Sequence, residues 1–183
     1  MTIIRCQNKL ARHHLRQFTT TTSFRRQNVK LLVVGGGSGG AATAHNFTRI
    51  LGEGQVTVIE PSPTHFYQPL WTLVGGGIKP LAESAKPMKT VLPKKAAWIQ
   101  DEVVSFNPEE NKVVTMKGEE ISYEYLVVAM GLVNRYERIP GLVESLNTAG
   151  SGVGSNYSHL YVEKTFQEIK KFEVKTDKYF VDD

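Results

Sequence analysis

The stretch Gly35-Gly36-Gly37-Ser38-Gly39-Gly40 decides the fold because of what flanks it. Before it, residues 29–34 (Val-Lys-Leu-Leu-Val-Val) form a short, almost continuously apolar run, which is typical of a strand buried on both faces of a parallel sheet. After it, apolar residues recur at helical intervals from Ser38 to about Leu51. Residues 55–60 (Gln-Val-Thr-Val-Ile-Glu) then indicate a second strand. The pattern predicts a βαβ unit.

The glycine run satisfies the spacing G-x-G-x-x-G of dinucleotide-binding loops. Gly35 would permit a tight turn out of the strand, Gly37 would let a pyrophosphate approach the backbone, and Gly40 would let helix and strand pack closely. A helix beginning near Ser38 would direct unpaired N–H groups at the phosphates, a contribution of about 0.3–1 kcal/mol from the helix dipole.

Glu60 lies 20 residues beyond Gly40, at the end of the second predicted strand. An acidic residue there accepts hydrogen bonds from the ribose hydroxyls, which disfavours a 2′-phosphate and hence NADP. The alternative interpretation is a loop-capped helix with a solvent-facing Glu60. The motif alone does not distinguish FAD from NAD.

Length and composition limit the remaining possibilities. The 183 residues correspond to about one average domain, and 40% hydrophobic with 22% charged residues exclude collagen, a disulfide scaffold and wholesale disorder. The first 28 residues hold six of the 22 basic residues and no acidic one. The rest of the chain holds 16 basic and 18 acidic residues and is therefore not basic, so we predict no nucleic-acid binding.

The N-terminal segment is rich in Arg, Ser and Thr and contains no acidic residue. This composition predicts a mitochondrial transit peptide over residues 1–28, with a disordered basic tail as the alternative.

Further elements are predicted downstream of Glu60. They are a structured loop, a short helix, three strands that form an antiparallel excursion, and a final helix, over residues 61–80, 81–91, 98–106, 112–116, 121–130 and 161–172. The second half of the last strand is apolar enough to enter the parallel sheet. We see no Ser/His/Asp constellation and no metal-ligand set, so no catalytic residue and no metal site are predicted.

Residues 123–131 (Tyr-Glu-Tyr-Leu-Val-Val-Ala-Met-Gly) resemble the strand and "A-T-G" element of two-dinucleotide-binding-domain flavoproteins, with Met130 in place of the usual threonine. This resemblance implies FAD rather than NAD. Residues 60–75, 153–158 and 162–165 resemble, more specifically, eukaryotic mitochondrial sulfide:quinone oxidoreductases. The resemblance runs from about Lys30 to about Phe172. It implies an α/β fold: a Rossmann-like FAD-binding domain with a parallel sheet and βαβ unit, plus the three-stranded antiparallel excursion, incomplete at the C-terminus.

The same resemblance assigns cofactor contacts to individual residues. Gln68 matches a position that contacts the flavin cofactor, and the main chain of Val103 matches one that meets the adenine. A solvated loop amide and an ordinary strand residue are the respective alternatives. The full expected set is the pyrophosphate loop, the ribose-binding acid and these two: Gly35, Gly37, Ser38, Gly39, Gly40, Glu60, Gln68 and Val103.

The reaction implied by the resemblance is FAD-dependent oxidation of sulfide with electron transfer to ubiquinone, at the mitochondrial inner membrane, to which the family associates peripherally. It requires a cysteine pair, whereas Cys6 is the chain's single cysteine. We therefore expect residues 29–173 to be a partial FAD-binding domain that is inactive alone. The divergent tail, residues 174–183, indicates a premature stop, an alternative exon or an incomplete gene model.

Two other readings stay open. Another quinone-reducing flavoprotein, such as a type II NADH dehydrogenase, would need no catalytic disulfide. A non-catalytic short isoform that binds FAD is the third possibility. Because half of such a domain exposes a sheet edge and apolar faces, we also expect poor solubility.

Overall fold

The computed structural model describes residues 27–176. The strands are β1 Gln27–Val34, β2 Val56–Ile59, β3 Thr64–Phe66, β4 Ala85–Pro87, β5 Ala97–Ile99, β6 Val103–Asn107, β7 Lys112–Thr115 and β8 Glu120–Val128. The α-helices are α1 Ser38–Leu51, α2 Trp71–Gly75, α3 Met88–Val91, α4 Leu142–Asn147 and α5 Val162–Thr176. Single turns of 3₁₀-helix occur at Gln68–Leu70, Leu81–Ser84, Pro108–Glu110 and Tyr136–Arg138.

Six of the strands form one sheet in the order β5-β2-β1-β8-β7-β6. The first four are mutually parallel, whereas β8, β7 and β6 pair antiparallel. The predicted fold class is confirmed, including the βαβ unit of β1, α1 and β2. Strand β8 belongs to both parts: it runs along β1 over its length, but β7 pairs only with its first three residues.

Helix α1 packs on one face of the sheet through a narrow stripe of small residues. Its buried positions are Gly40, Ala41, Ala44 and Thr48, whose spacing places them on one face of the helix. They meet a core cluster from β1, β2 and the α3 segment: Leu31, Val33, Val56, Val58, Met88 and Leu92. Each such aliphatic side chain contributes about 1.5–3 kcal/mol on burial. The helix ends at Leu51, as predicted, and the next residue is Gly52, whose φ of 94° suits glycine.

The opposite face of the sheet is covered by the antiparallel excursion. Leu32 and Val34 of β1 pack there with Val113 of β7 and with Ile121 and Tyr123 of β8. Both faces of β1 are therefore buried, which explains its continuous apolar run.

Three details of the predicted order are wrong. Residues 81–91 are not one short helix, because they form a 3₁₀ turn at Leu81–Ser84, strand β4 and the single-turn helix α3. Residues 61–80 are not simply a loop, because they contain β3 and α2. Residues 98–106 are not one strand: β5 ends at Ile99 and lies beside β2, while β6 begins at Val103 and pairs with β7. The break is made by Asp101, whose backbone N–H donates to the Ile99 carbonyl and whose carboxylate accepts the N–H of Glu102. No glycine or proline marks this break, so strand propensity alone predicts one continuous strand.

The C-terminal part packs on α2. The final helix is confirmed as α5, and α4 is a short helix that the sequence analysis did not predict. The carboxylate of Glu168 on α5 accepts the backbone N–H groups of Gly150 and Gly152, both at 2.8 Å, and so fixes the Gly/Ser-rich loop. The predicted transit peptide up to residue 26 and tail residues 177–183 lie outside the described residues. Within residues 27–176 no helix is long and apolar enough to cross a bilayer.

Candidate dinucleotide-binding site

The glycine loop joins β1 to α1 at the C-terminal end of the parallel strands, and two of its glycines are demanded by close packing. Gly35 has φ 102°, and a Cβ there would lie 2.4 Å from the Ala129 carbonyl oxygen. A Cβ on Gly40 would lie 1.8 Å from the Gly35 carbonyl oxygen. These two positions therefore accept only glycine, as the motif predicts.

The next part of the loop is open instead of crowded. A Cβ on Gly37 or Gly39 would meet no heavy atom within 4 Å. Gly37 is the N-cap of α1, and no side chain caps that end. The first N–H groups of the helix thus lack an intrahelical or side-chain acceptor, and this is the arrangement that binds phosphate at helix N-termini.

This open part of the loop forms one wall of a cleft of about 470 Å³, here called the Gln68 cleft. The other walls come from Phe66 at the end of β3, from Gln68 just after it, and from the residues that follow β8. The lining residues are Gly37, Ser38, Gly39, Phe66, Gln68, Ala129, Met130, Gly131 and Leu132.

A second cleft of about 330 Å³, the Glu60 cleft, borders the start of the loop at Gly35. It is lined by Val34, Gly35, Ile59, Glu60, Pro61, Asp101, Glu102, Val103, Met130 and Val133. Met130 borders both clefts, so they adjoin at the end of β8. Together the two clefts form one candidate site, with residues of the glycine loop lining both clefts.

The carboxylate of Glu60 is oriented by the backbone around it. Its Oε2 accepts the Gly36 N–H and its Oε1 accepts the Ser62 N–H, both at 2.7 Å. Glu60 is half-buried, unlike the solvent-facing acid of the alternative interpretation. A carboxylate has about four lone-pair positions, so two ribose hydroxyls can still donate to it.

Asp101 is a second carboxylate in the Glu60 cleft. Burial by itself would raise its pKa, but hydrogen bonds from Thr115 and from the Glu102 and Lys117 backbone, with the Lys117 charge, lower it below the usual value. Asp101 is therefore ionised at neutral pH. Negative charge at this cleft would disfavour a ligand with an additional phosphate, and selectivity against NADP stays a prediction.

All eight residues predicted to contact the cofactor lie in or against this site. The Glu60 cleft holds Gly35, Glu60 and Val103, and the Gln68 cleft holds Gly37, Ser38, Gly39 and Gln68. Gly40 lines neither cleft, because it is buried against the loop. Gly40 lies beneath the candidate site, where the absence of a Cβ lets α1 approach the end of β1.

Sequence reasoning missed Gly36. A Cβ on Gly36 would lie 2.8 Å from Cγ of Glu60, so glycine here lets the acid come close enough to accept the Gly36 N–H. The signal was available, since Gly36 is an additional glycine inside the motif at a position that the motif leaves variable. Asp101 and Met130 were also missed as lining residues.

Aromatic side chains of the segment after Glu60 pack next to the Gln68 cleft through Phe66. Trp71 is buried, and its indole N–H donates to the Ser84 hydroxyl, so it holds α2 against the 3₁₀ turn at Leu81–Ser84. His65 is buried in β3. Phe66, which lines the Gln68 cleft, stacks on His159 with ring centroids 4.5 Å apart. Residues 27–176 contain no group of three or more His, Cys, Asp or Glu arranged to hold a metal.

Comparison with known proteins agrees with this geometry. The family model described as "Pyridine nucleotide-disulphide oxidoreductase" matches residues 29–172. The chain belongs to this family. Pyridine nucleotide-disulphide oxidoreductases of this kind are FAD-binding flavoproteins, which confirms the predicted cofactor.

Among curated proteins, the chain is 51% identical over 118 residues to "Sulfide:quinone oxidoreductase, mitochondrial" of Dictyostelium discoideum, covering 64% of this chain and 26% of that protein. It is 46% identical over 129 residues to the Mus musculus protein of the same name, covering 70% and 28%. The predicted resemblance is confirmed. The chain thus spans about a quarter of the length of these relatives of the oxidoreductase family.

The fold is shared with solved structures. The sulfide:quinone oxidoreductase from Aquifex aeolicus matches with a TM-score of 0.63 at 24% identity, covering 81% of this chain and 32% of that one. At this identity the likeness establishes the fold alone. The family's oxidoreductase domain and the two clefts are consistent with each other: the bare glycine backbone, the uncapped helix and the oriented acid fit a dinucleotide cofactor.

Proposed function

We propose that the two clefts together hold FAD. Gly37, Ser38 and Gly39 would bind the pyrophosphate through the uncapped start of α1. Glu60 would accept the ribose hydroxyls, and the main chain of Val103 would meet the adenine in the Glu60 cleft. Gln68 would contact the flavin side in the other cleft. FAD, when bound there, supplies a two-electron acceptor.

We further propose that the chain is the N-terminal FAD-binding part of a sulfide:quinone oxidoreductase, with sulfide and ubiquinone as substrates of the whole enzyme, at the mitochondrial inner membrane. One observation carries this proposal. The segment after Glu60 on which the resemblance rests brings Phe66 and Gln68 against the glycine loop and the end of β8. The family-specific residues and the general dinucleotide motif thus share one cleft. The names of the mitochondrial relatives support the location.

In this proposal the chain's own residues bind and orient the cofactor, and they do not carry the sulfur chemistry. Attack by sulfide needs a disulfide, and electron delivery needs a thiolate. Cys6 is the single cysteine of the 183 residues and precedes the described domain. We therefore expect the purified chain to bind FAD and to show no sulfide oxidation.

Titration of the purified chain with FAD, NAD and NADP tests the proposal, with flavin fluorescence and the melting temperature as readouts. FAD should bind and stabilise the chain, and sulfide with a soluble ubiquinone analogue should produce no turnover. Failure to bind FAD would overturn the proposal. Bleaching of the bound flavin by NADH would point instead to a type II NADH dehydrogenase.

The mass of the endogenous protein, measured with peptides from residues 60–130 in purified mitochondria, is the companion experiment. A species much larger than 20.4 kDa would make sulfide-dependent quinone reduction the assay to run on it. A species that matches the leaderless chain would favour the non-catalytic FAD-binding isoform.

A further inference from the structure

Trp98 lies on β5, next to the proposed site but outside both clefts. Its indole N–H donates to the backbone carbonyl oxygen of Glu60 at 2.9 Å. The ring is half-buried and packs against the core cluster under α1. Its other side borders a separate groove with Leu92 and Pro93. Trp98 therefore touches Glu60 without lining either cleft.

Glu60 is held at all four of its polar groups. The backbone N–H donates to the Ile99 carbonyl at 3.1 Å, and the backbone carbonyl accepts from Trp98. The two carboxylate oxygens accept the N–H groups of Gly36 and Ser62. Strand β5 thus fixes the main chain of Glu60, while the glycine loop and the following turn fix its side chain.

The indole replaces a partner that the sheet cannot supply here. The next ladder donor along this part of the chain would be the Asp101 N–H, but that group bonds to the Ile99 carbonyl instead. β2 itself ends at Ile59, so the Glu60 carbonyl lies just beyond the regular ladder. A side-chain donor from the neighbouring strand holds the peptide plane, and with it the direction in which the Glu60 side chain leaves the backbone.

We infer that Trp98 is a positioning residue for the dinucleotide: through Glu60 it sets the affinity for the ribose part of FAD. This inference rests on the proposed function. Because binding groups must be held close to their productive geometry by the residues behind them, loss of the indole N–H should weaken binding without removing any cofactor contact.

The test is a double-mutant cycle in the full chain with Trp98→Phe, Glu60→Gln and the double variant, with FAD dissociation constants from flavin fluorescence. We expect Trp98→Phe to weaken FAD binding about tenfold alone, and less than about twofold in the Glu60→Gln background, because coupled residues are non-additive. An FAD analogue that lacks the adenosine 2′-hydroxyl should respond less to Trp98→Phe than FAD does. A purely structural role would move neither the coupling nor this difference.

Trp71→Phe is the control, since it also loses an indole N–H donor, here one that bonds Ser84 and not Glu60. If Trp98→Phe does not fold, benzothienylalanine introduced at position 98 keeps the ring shape and removes only the donor. Additive losses, or unchanged FAD affinity in a folded variant, would overturn the inference alone. A wild-type chain that binds no FAD would overturn the proposed function, and the inference with it.

Discussion

Gly37 and Gly40 belong to the same motif but occupy opposite environments, and this difference yields a sharp prediction. In Gly40→Ala the new Cβ would lie 1.8 Å from the Gly35 carbonyl oxygen and 2.9 Å from its carbon. Both are backbone atoms, so no side-chain rotation relieves the clash and α1 must move away from β1. Overpacking costs about 1–3 kcal/mol and occasionally more.

The net effect on stability follows from two opposing terms. A contact this short belongs at the upper end, about 3 kcal/mol, and the better helix propensity of alanine offsets about 1 kcal/mol of it. In a domain of this size each kcal/mol corresponds to roughly 2–4 °C in melting temperature. Gly40→Ala should therefore melt about 4–8 °C below wild type, with or without cofactor.

Gly37→Ala should behave in the opposite way. Its Cβ meets no atom within 4 Å, so the melting temperature of the cofactor-free chain should stay within about 2 °C of wild type. The methyl group enters the space where we propose the pyrophosphate, so FAD affinity should fall at least about tenfold, or about 1.4 kcal/mol.

Thermal melts of both variants, each with and without saturating FAD, make the comparison. Unchanged FAD affinity in Gly37→Ala would refute the assignment of the pyrophosphate to the open part of the loop. A Gly40→Ala chain as stable as wild type would refute the packing argument.

Three further predictions follow from other contacts. Gly36→Ala should displace the side chain of Glu60, because the new Cβ would lie 2.8 Å from Cγ of Glu60. Titration calorimetry should then show weaker FAD binding, and an unchanged dissociation constant would contradict this prediction. Gly77→Ala should lower the melting temperature, since Gly77 has φ 72° and its Cβ would lie 2.4 Å from the Phe166 ring. The lowered pKa of Asp101 means that its ionised form stabilises the fold fully above pH 3.8, the unfolded value, and that this stabilisation is lost as the pH falls through the lower folded value. Asp101→Asn should flatten acid unfolding in that window, and an unchanged acid titration followed by circular dichroism would count against it.

The sequence predicted best those elements in which local pattern and tertiary environment agree. The run before Gly35 is apolar because both faces of β1 are buried, and α1 ends at Leu51, just before Gly52, whose positive φ favours glycine. The spacing from Gly40 to Glu60 placed the acid at the cleft. Gln68 and Val103 came from the family resemblance, not from periodicity.

The parts that escaped prediction depend on contacts distant in sequence. The strand break at Asp101 is stabilised by the backbone N–H of Lys117, which donates to the Asp101 carboxylate from 16 residues away. Local strand propensity cannot predict such a distant contact. The role of Gly36 requires knowing that the side chain of Glu60, 24 residues on, turns back to the loop. The expected poor solubility remains a prediction, and the short pairing of β7 with β8 supports it, because the outer edge of β8 lacks a strand partner beyond Ser122 within the described residues.

Met130 stands where the related element usually has threonine, and it borders both clefts with 58% of its surface exposed. A thioether at this junction is open to oxidants, and conversion to the sulfoxide turns a pliant apolar side chain into a larger polar one. Mild peroxide treatment should therefore release flavin from the loaded chain while circular dichroism stays constant, and Met130→Leu should retain it. The junction of the two clefts would then couple cofactor retention to the oxidative state of the chain's surroundings.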